Sequence, residues 1–123
     1  NFKVISEIGS KCESNSLEDS DWIEYMNKEL QAGSWKVIAE AREGGNVGMF
    51  DPNGNIKENL IKKITNKISA SKILWEAPQK KQQVWFINNF GANVNLGNIS
   101  PNDIISLECL RIGLRGDTFD NYL

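Results

Sequence analysis

Cysteine is scarce in this chain, with Cys12 and Cys109 the two thiols among 123 residues. Two are too few for a disulfide framework and have no metal-ligand spacing, so reduced thiols in a cytoplasmic protein are expected. Long apolar runs are missing as well. No segment approaches the ~20 consecutive apolar residues that would span a bilayer, and no signal peptide is visible, so no membrane partner is expected. An excess of one charge is absent too. Fourteen Lys and Arg against sixteen Asp and Glu leave a net charge of −2, which provides no electrostatic footprint for nucleic acid. What remains is ordinary for a globular protein, with 40% hydrophobic and 24% charged residues.

The apolar residues that are present fall into short runs closed by an acid. Val4-Ile5-Ser6 ends at Glu7, Val37-Ile38-Ala39 at Glu40, and Ile73-Leu74-Trp75 at Glu76, while Val94-Asn95-Leu96-Gly97 is a degenerate fourth copy. Glu7 and Glu40 are 33 residues apart, Glu40 and Glu76 are 36 apart, and Gly97 follows Glu76 by 21. Such intervals suit one strand plus one crossover helix. Continuous rather than alternating apolar runs suggest parallel strands covered on both faces. The pattern predicts α/β architecture of the (β/α)8 TIM-barrel type, with chemistry at the strand ends where the acids collect.

A closed barrel of that kind takes roughly 250 residues, so this length accommodates about four βα units, a half-barrel. The chain opens at Asn1, and strand-like sequence begins at Phe2. The expectation is therefore the C-terminal half of a single barrel domain spanning 1–123, with the N-terminal half absent. Two exposed strand edges would then invite pairing with another copy, which points to a homo-oligomer.

Taken in order, Phe2 to Ile8 reads as the first strand, followed by a Gly9-Ser10-Lys11 loop. Asp21-Trp22-Ile23-Glu24 has capping-box spacing, and Trp22, Ile23, Met26 and Leu30 give the following helix its apolar stripe, ended by Gly33. Trp35 to Ala41 is the second strand. Gly44-Gly45-Asn46-Val47-Gly48 is glycine-rich enough to be mobile or to wrap a ligand. Asp51-Pro52-Asn53-Gly54 is a turn, and Ile56, Leu60, Ile61, Ile64 and Ile68 line a second helix. Lys72 to Trp75 is the third strand. Pro78 stands near the start of a helix carrying Val84, Phe86, Ile87 and Phe90 and closed by Gly91. After a last strand, Val94 to Leu96, Ser100-Pro101 opens a helix that packs Ile104, Leu107 and Leu110.

Five segments resemble the phosphosulfolactate synthase family in order and spacing. They are Val4 through Lys11; Glu40-Ala41-Arg42-Glu43; Trp75-Glu76-Ala77-Pro78-Gln79-Lys80; Asn93 through Ile99; and Leu107 through Thr118. The resemblance covers the whole chain and implies strands five to eight of that family's barrel. It implies magnesium-dependent addition of sulfite to phosphoenolpyruvate, giving (2R)-phospho-3-sulfolactate on a route to coenzyme M or sulfolactate. Plant heat-stress-associated proteins are also similar to this family, so membership leaves a non-enzymatic relative as the alternative.

The resemblance implies site residues as well. Lys11 matches the family lysine assigned as proton donor. Glu7, Glu40 and Glu76 are the acids available to magnesium, which favours an oxygen shell with one or two protein carboxylates. The alternative for each is a strand-end acid paired with Arg42 or Lys80. Those two cations are otherwise expected to face sulfite or the substrate carboxylate. Phosphate would sit where Gly97-Asn98-Ile99-Ser100 leads into a helix N-terminus, with Asn95 pointing into the barrel mouth. Arg111 and Arg115 fit better as helix C-terminal charges.

Overall fold

The computed structural model describes residues 1–9 and 17–123. Four parallel strands lie in the order β1-β2-β3-β4: β1 (Ile5–Ile8), β2 (Lys36–Ala39), β3 (Ile73–Glu76) and β4 (Leu96–Gly97). Between them run α1 (Asp19–Gln31), α2 (Glu58–Thr65) and α3 (Lys80–Phe90), and after β4 come α4 (Ile104–Arg111) and α5 (Gly116–Phe119). The fold is α/β, a parallel sheet alternating with helices as in half of a (β/α)8 barrel. Among the described residues no helix is long and apolar enough to cross a membrane.

Period-two alternation sorts the strand side chains into two faces. Val37, Ala39, Ile73 and Trp75 are fully buried against the helices, where they share one core with Met26, Ile61, Ile64, Phe86 and Leu110. Trp75 stacks on Phe86 at 5.1 Å and Phe90 at 6.1 Å, and Phe50 meets Phe86 edge-on at 6.3 Å. The other face carries Ile38 and Leu74, half-buried and paired in register with each other. Those two residues occupy the side that would form a barrel interior.

Several boundaries differ from the sequence-based expectation. The first helix begins earlier than Asp21, because Glu18 is its N-cap and Asp21 is the third residue of a reciprocal capping box, its Oδ2 accepting from the Glu18 N–H at 3.1 Å. Gln79 and Gln82 form the corresponding box on α3, which leaves Pro78 outside the helix. Ser100 caps a short 3-10 turn, Pro101–Asp103, that leads into α4. β1 begins at Ile5 rather than Phe2, β2 keeps only Lys36–Ala39 of the expected 35–41, β3 is shifted one residue on to end at Glu76, and β4 is reduced to Leu96–Gly97.

The glycine-rich loop after β2 is packed. Gln79 Nε2 donates to the Gly44 carbonyl at 2.7 Å, and the fully buried Gln82 donates from Nε2 to the carbonyls of Gly45 at 2.8 Å and Gly54 at 3.0 Å. At Gly48, with φ of 66°, a Cβ would come within 2.2 Å of the Glu40 carbonyl oxygen. Asp51 closes the next turn by accepting from the N–H groups of Asn53 and Asn55 at 2.8 and 2.9 Å. The Asn55 N–H first, and then the Asn55 side-chain amide, which donates to Asp51 Oδ2 at 3.0 Å, hold the Asp51 carboxyl below its usual range.

Candidate active site

Sheet register sorts the predicted acids into two layers. Glu7 pairs with Ile38, and Ile38 with Leu74; Glu76 pairs with Gly97. Continuing the β2–β3 register by one residue sets Glu40 beside Glu76. Glu40 and Glu76 therefore share the rim layer at the strand ends, and Glu7 stands one layer lower.

Both rim carboxylates are held. Glu76 Oε2 accepts from the Ala41 N–H at 2.7 Å, across the gap between β3 and β2. Glu40, 9% exposed, lies over Gly9, where a Cβ would be 2.6 Å from Glu40 Cβ and 2.7 Å from its Oε2. Glycine at position 9 is thus what leaves room for this acid. Among the described residues no group of three or more His, Cys, Asp and Glu side chains is close enough to hold a metal. The three-acid set Glu7, Glu40 and Glu76 does not come together as one cluster; its two rim members do share a layer.

Arg42 follows with φ of 58°, half-buried, lining an open depression of about 600 Å³ with Glu40, Glu43, Gly44 and Asn46. Asn98, just past β4, has φ of 55°, and its Nδ2 donates to the Arg42 carbonyl at 2.8 Å. Gly97 packs closely against its neighbouring strand, since a Cβ there would lie 2.3 Å from Leu74 Cδ2.

Other predicted residues are placed elsewhere. Asn95 does not point into the mouth: its Nδ2 donates to the carbonyls of Ser71 and Ile73 at 3.2 and 3.1 Å, toward the start of β3. β4 begins only at Leu96, so the Asn95 side chain, just before it, is free to satisfy the Ile73 carbonyl at the start of β3 and the Ser71 carbonyl in the turn before it. Lys80 forms an ion pair with Asp117 at 3.0 Å, and that hydrogen bond holds the Asp117 carboxyl below the usual carboxylate range. At the predicted phosphate seat, Ser100 Oγ accepts from the Asn102 N–H at 3.4 Å, and Asp103 adds an acid to the same turn. Arg111, at the end of α4, donates to the carbonyls of Ala92 and Val94 in the segment between α3 and β4, and burial lowers its pKa. Lys11 lies outside the described residues.

Sequence reasoning missed Gln79 and Gln82, which fix the loop beside the rim. A signal was present: Gln82 stands four residues before Phe86, a polar residue in line with a buried one.

A parallel half-barrel whose strand ends carry two carboxylates in one layer, that of Glu76 supported by a backbone N–H, defines a protein of the (β/α)8 class with a polar rim. The chain belongs to the (2R)-phospho-3-sulfolactate synthase (ComA) family, whose model matches residues 1–117. It is 47% identical to the phosphosulfolactate synthase of Methanothermobacter thermautotrophicus, over 95% of this chain and 46% of that protein. Identity is 46% to the one from Methanocaldococcus jannaschii, over 96% and 48%. A protein named HEAT-STRESS-ASSOCIATED 32 from Arabidopsis thaliana is 35% identical over 80% of this chain and 32% of its own length. The chain spans about half the length of the synthases it matches.

Proposed function

We propose that this chain supplies strands five to eight of a magnesium-dependent phosphosulfolactate synthase, a carbon–sulfur lyase adding sulfite to phosphoenolpyruvate. The observation that carries this reading is the identity of 46–47% to proteins of that name over nearly the whole chain. The paired rim acids add chemical sense to it. Glu40 and Glu76 would hold magnesium, and two carboxylates suit an ion that completes its octahedral shell with water and substrate oxygens. Bound there, the metal supplies Lewis-acid stabilisation of charge on the substrate carboxylate.

The protein's own groups then have distinct tasks. As sulfite bonds to the methylene carbon, charge builds on the carboxylate, and the Arg42 guanidinium is the rim cation suited to an oxyanion. The carbon bearing phosphate then takes a proton, the role assigned by family resemblance to Lys11. Backbone N–H groups of the Gly97-Asn98-Ile99 loop are the proposed phosphate contacts. Four further strands would complete the ring and cover the edges of β1 and β4, so the isolated chain is expected to be inactive or to pair with another copy. A cytoplasmic setting fits its free Cys109.

The test is an assay with sulfite, phosphoenolpyruvate and magnesium on a polypeptide that contains this chain within a closed barrel. Product should form, turnover should vanish in Lys11→Ala, and it should persist in Lys81→Ala. The heat-stress-associated relative supports a second, non-enzymatic reading, which full-length protein inert toward both substrates would favour.

A further inference from the structure

Arg42 and Asn98 are the non-glycine residues with positive φ among those described, and they touch each other. Each lies in the loop just beyond its strand, β2 for Arg42 and β4 for Asn98, and β3 runs between those strands. The Asn98 amide therefore crosses the end of β3 to reach the Arg42 carbonyl. Beside that bridge, the Ala41 N–H donates to Glu76 Oε2, so both loops and the β3 carboxylate are tied across three strands.

An arginine in the left-handed region is unfavourable unless its surroundings over-determine it. The surroundings here are two bonds to its carbonyl, from Asn98 Nδ2 at 2.8 Å and from the Gly45 N–H at 3.3 Å. The left-handed turn also sets the direction in which the side chain leaves the backbone, and the half-buried Arg42 lines the same depression as Glu40. No ion pair to it is found among the described residues. An asparagine whose amide nitrogen is committed to a backbone carbonyl has one donor fewer for a substrate.

We infer that Asn98 is a positioning residue: by holding the Arg42 carbonyl it fixes the left-handed turn that aims the Arg42 guanidinium at an oxyanion of the substrate. This rests on the reading of Arg42 as an anion-facing group. It differs from a direct contact between the Asn98 side chain and substrate, and leaves the backbone N–H of Asn98 to the proposed phosphate contacts.

Asn98→Asp keeps the size and removes the donor, while Asn98→Gly keeps the left-handed backbone and removes the side chain. Amide hydrogen exchange on the 123-residue chain should quicken about fivefold at Gly45 and Ala41 in both variants, the factor one net hydrogen bond represents. Ile61 in α2 should be unchanged, and Asn89→Ala should match the parent throughout. In the closed barrel, the KM for one of the two anions, phosphoenolpyruvate or sulfite, should rise about tenfold with kcat within twofold, as for loss of uniform binding. Which KM moves identifies the oxyanion.

Unchanged exchange at both amides would overturn the inference, and unchanged exchange with a raised KM would make Asn98 a direct contact instead. Quickened exchange with neither KM altered would sever the bridge from Arg42's role. A parent barrel that turns over neither substrate would sink the proposed function, while the exchange comparison still decides whether Asn98 holds Arg42.

Discussion

The Ala41 backbone N–H donates to Glu76 Oε2 at 2.7 Å, so the carboxylate ending β3 is supported by the strand beside it. A fixed carboxylate needs little reorganisation to take a ligand. Glu76→Gln retains an oxygen for the Ala41 N–H and removes the charge. It should leave the denaturant midpoint nearly unchanged and, on the metal role proposed for Glu76, weaken magnesium binding about tenfold or more, measured by calorimetry on the closed barrel. Glu76→Ala also strands a buried N–H, and should lose ~1–3 kcal/mol of stability as well.

Gly9 and Gly48 both make room for Glu40. Alanine at position 9 would press on the Glu40 side chain, and at position 48 on its carbonyl oxygen with a positive φ besides. Each substitution should cost ~1–3 kcal/mol in urea unfolding, with Gly48→Ala the more severe because a backbone atom cannot swing aside.

Gln82 is a buried polar residue with three bonds: its Nε2 to Gly45 and Gly54, and its Oε1 from the Gln79 N–H at 3.1 Å. Gln82→Met preserves length and orphans these groups. A loss of ~2–4 kcal/mol is expected, several unsatisfied groups outweighing the apolar gain, together with faster exchange across 44–54. Proteolytic resistance of that loop equal to the parent's would contradict the clamp.

Lys80 and Asp117 join α3 to α5, and the hydrogen bond from Lys80 depresses the Asp117 pKa below 3.8. A depressed carboxylate stabilises the fold above its unfolded value and loses that contribution as pH falls through its lower folded value. The linkage therefore acts only in acid, below about pH 4. Lys80→Ala should move the Asp117 titration upward in carbon-detected NMR, with little change in stability at neutral pH because the pair is exposed.

Phe86 sits between Trp75, Phe90, Trp85 and Phe50. Phe86→Ala should cost ~3–5 kcal/mol by calorimetric unfolding. A small loss would show that the aromatic cluster can collapse into the space.

Much of this was legible in one dimension. Three apolar runs ending at Glu7, Glu40 and Glu76 were sufficient to read parallel strands, because burial on both faces leaves a continuous pattern and the crossover length sets the interval. The chain's own residues likewise determined its helices through stripes such as Leu60, Ile61 and Ile64. Only the tertiary structure decided which acids share a level. Register sets Glu40 level with Glu76 and drops Glu7 one layer, and pairing between segments some thirty residues apart leaves no mark in local spacing. For the same reason, Asn95's turn toward β3, the glutamine clamp on the glycine loop and the Asn98–Arg42 bridge were invisible beforehand. Each is a bond to a backbone carbonyl on another segment, which every residue type offers equally, and folding alone selects the one that comes within reach.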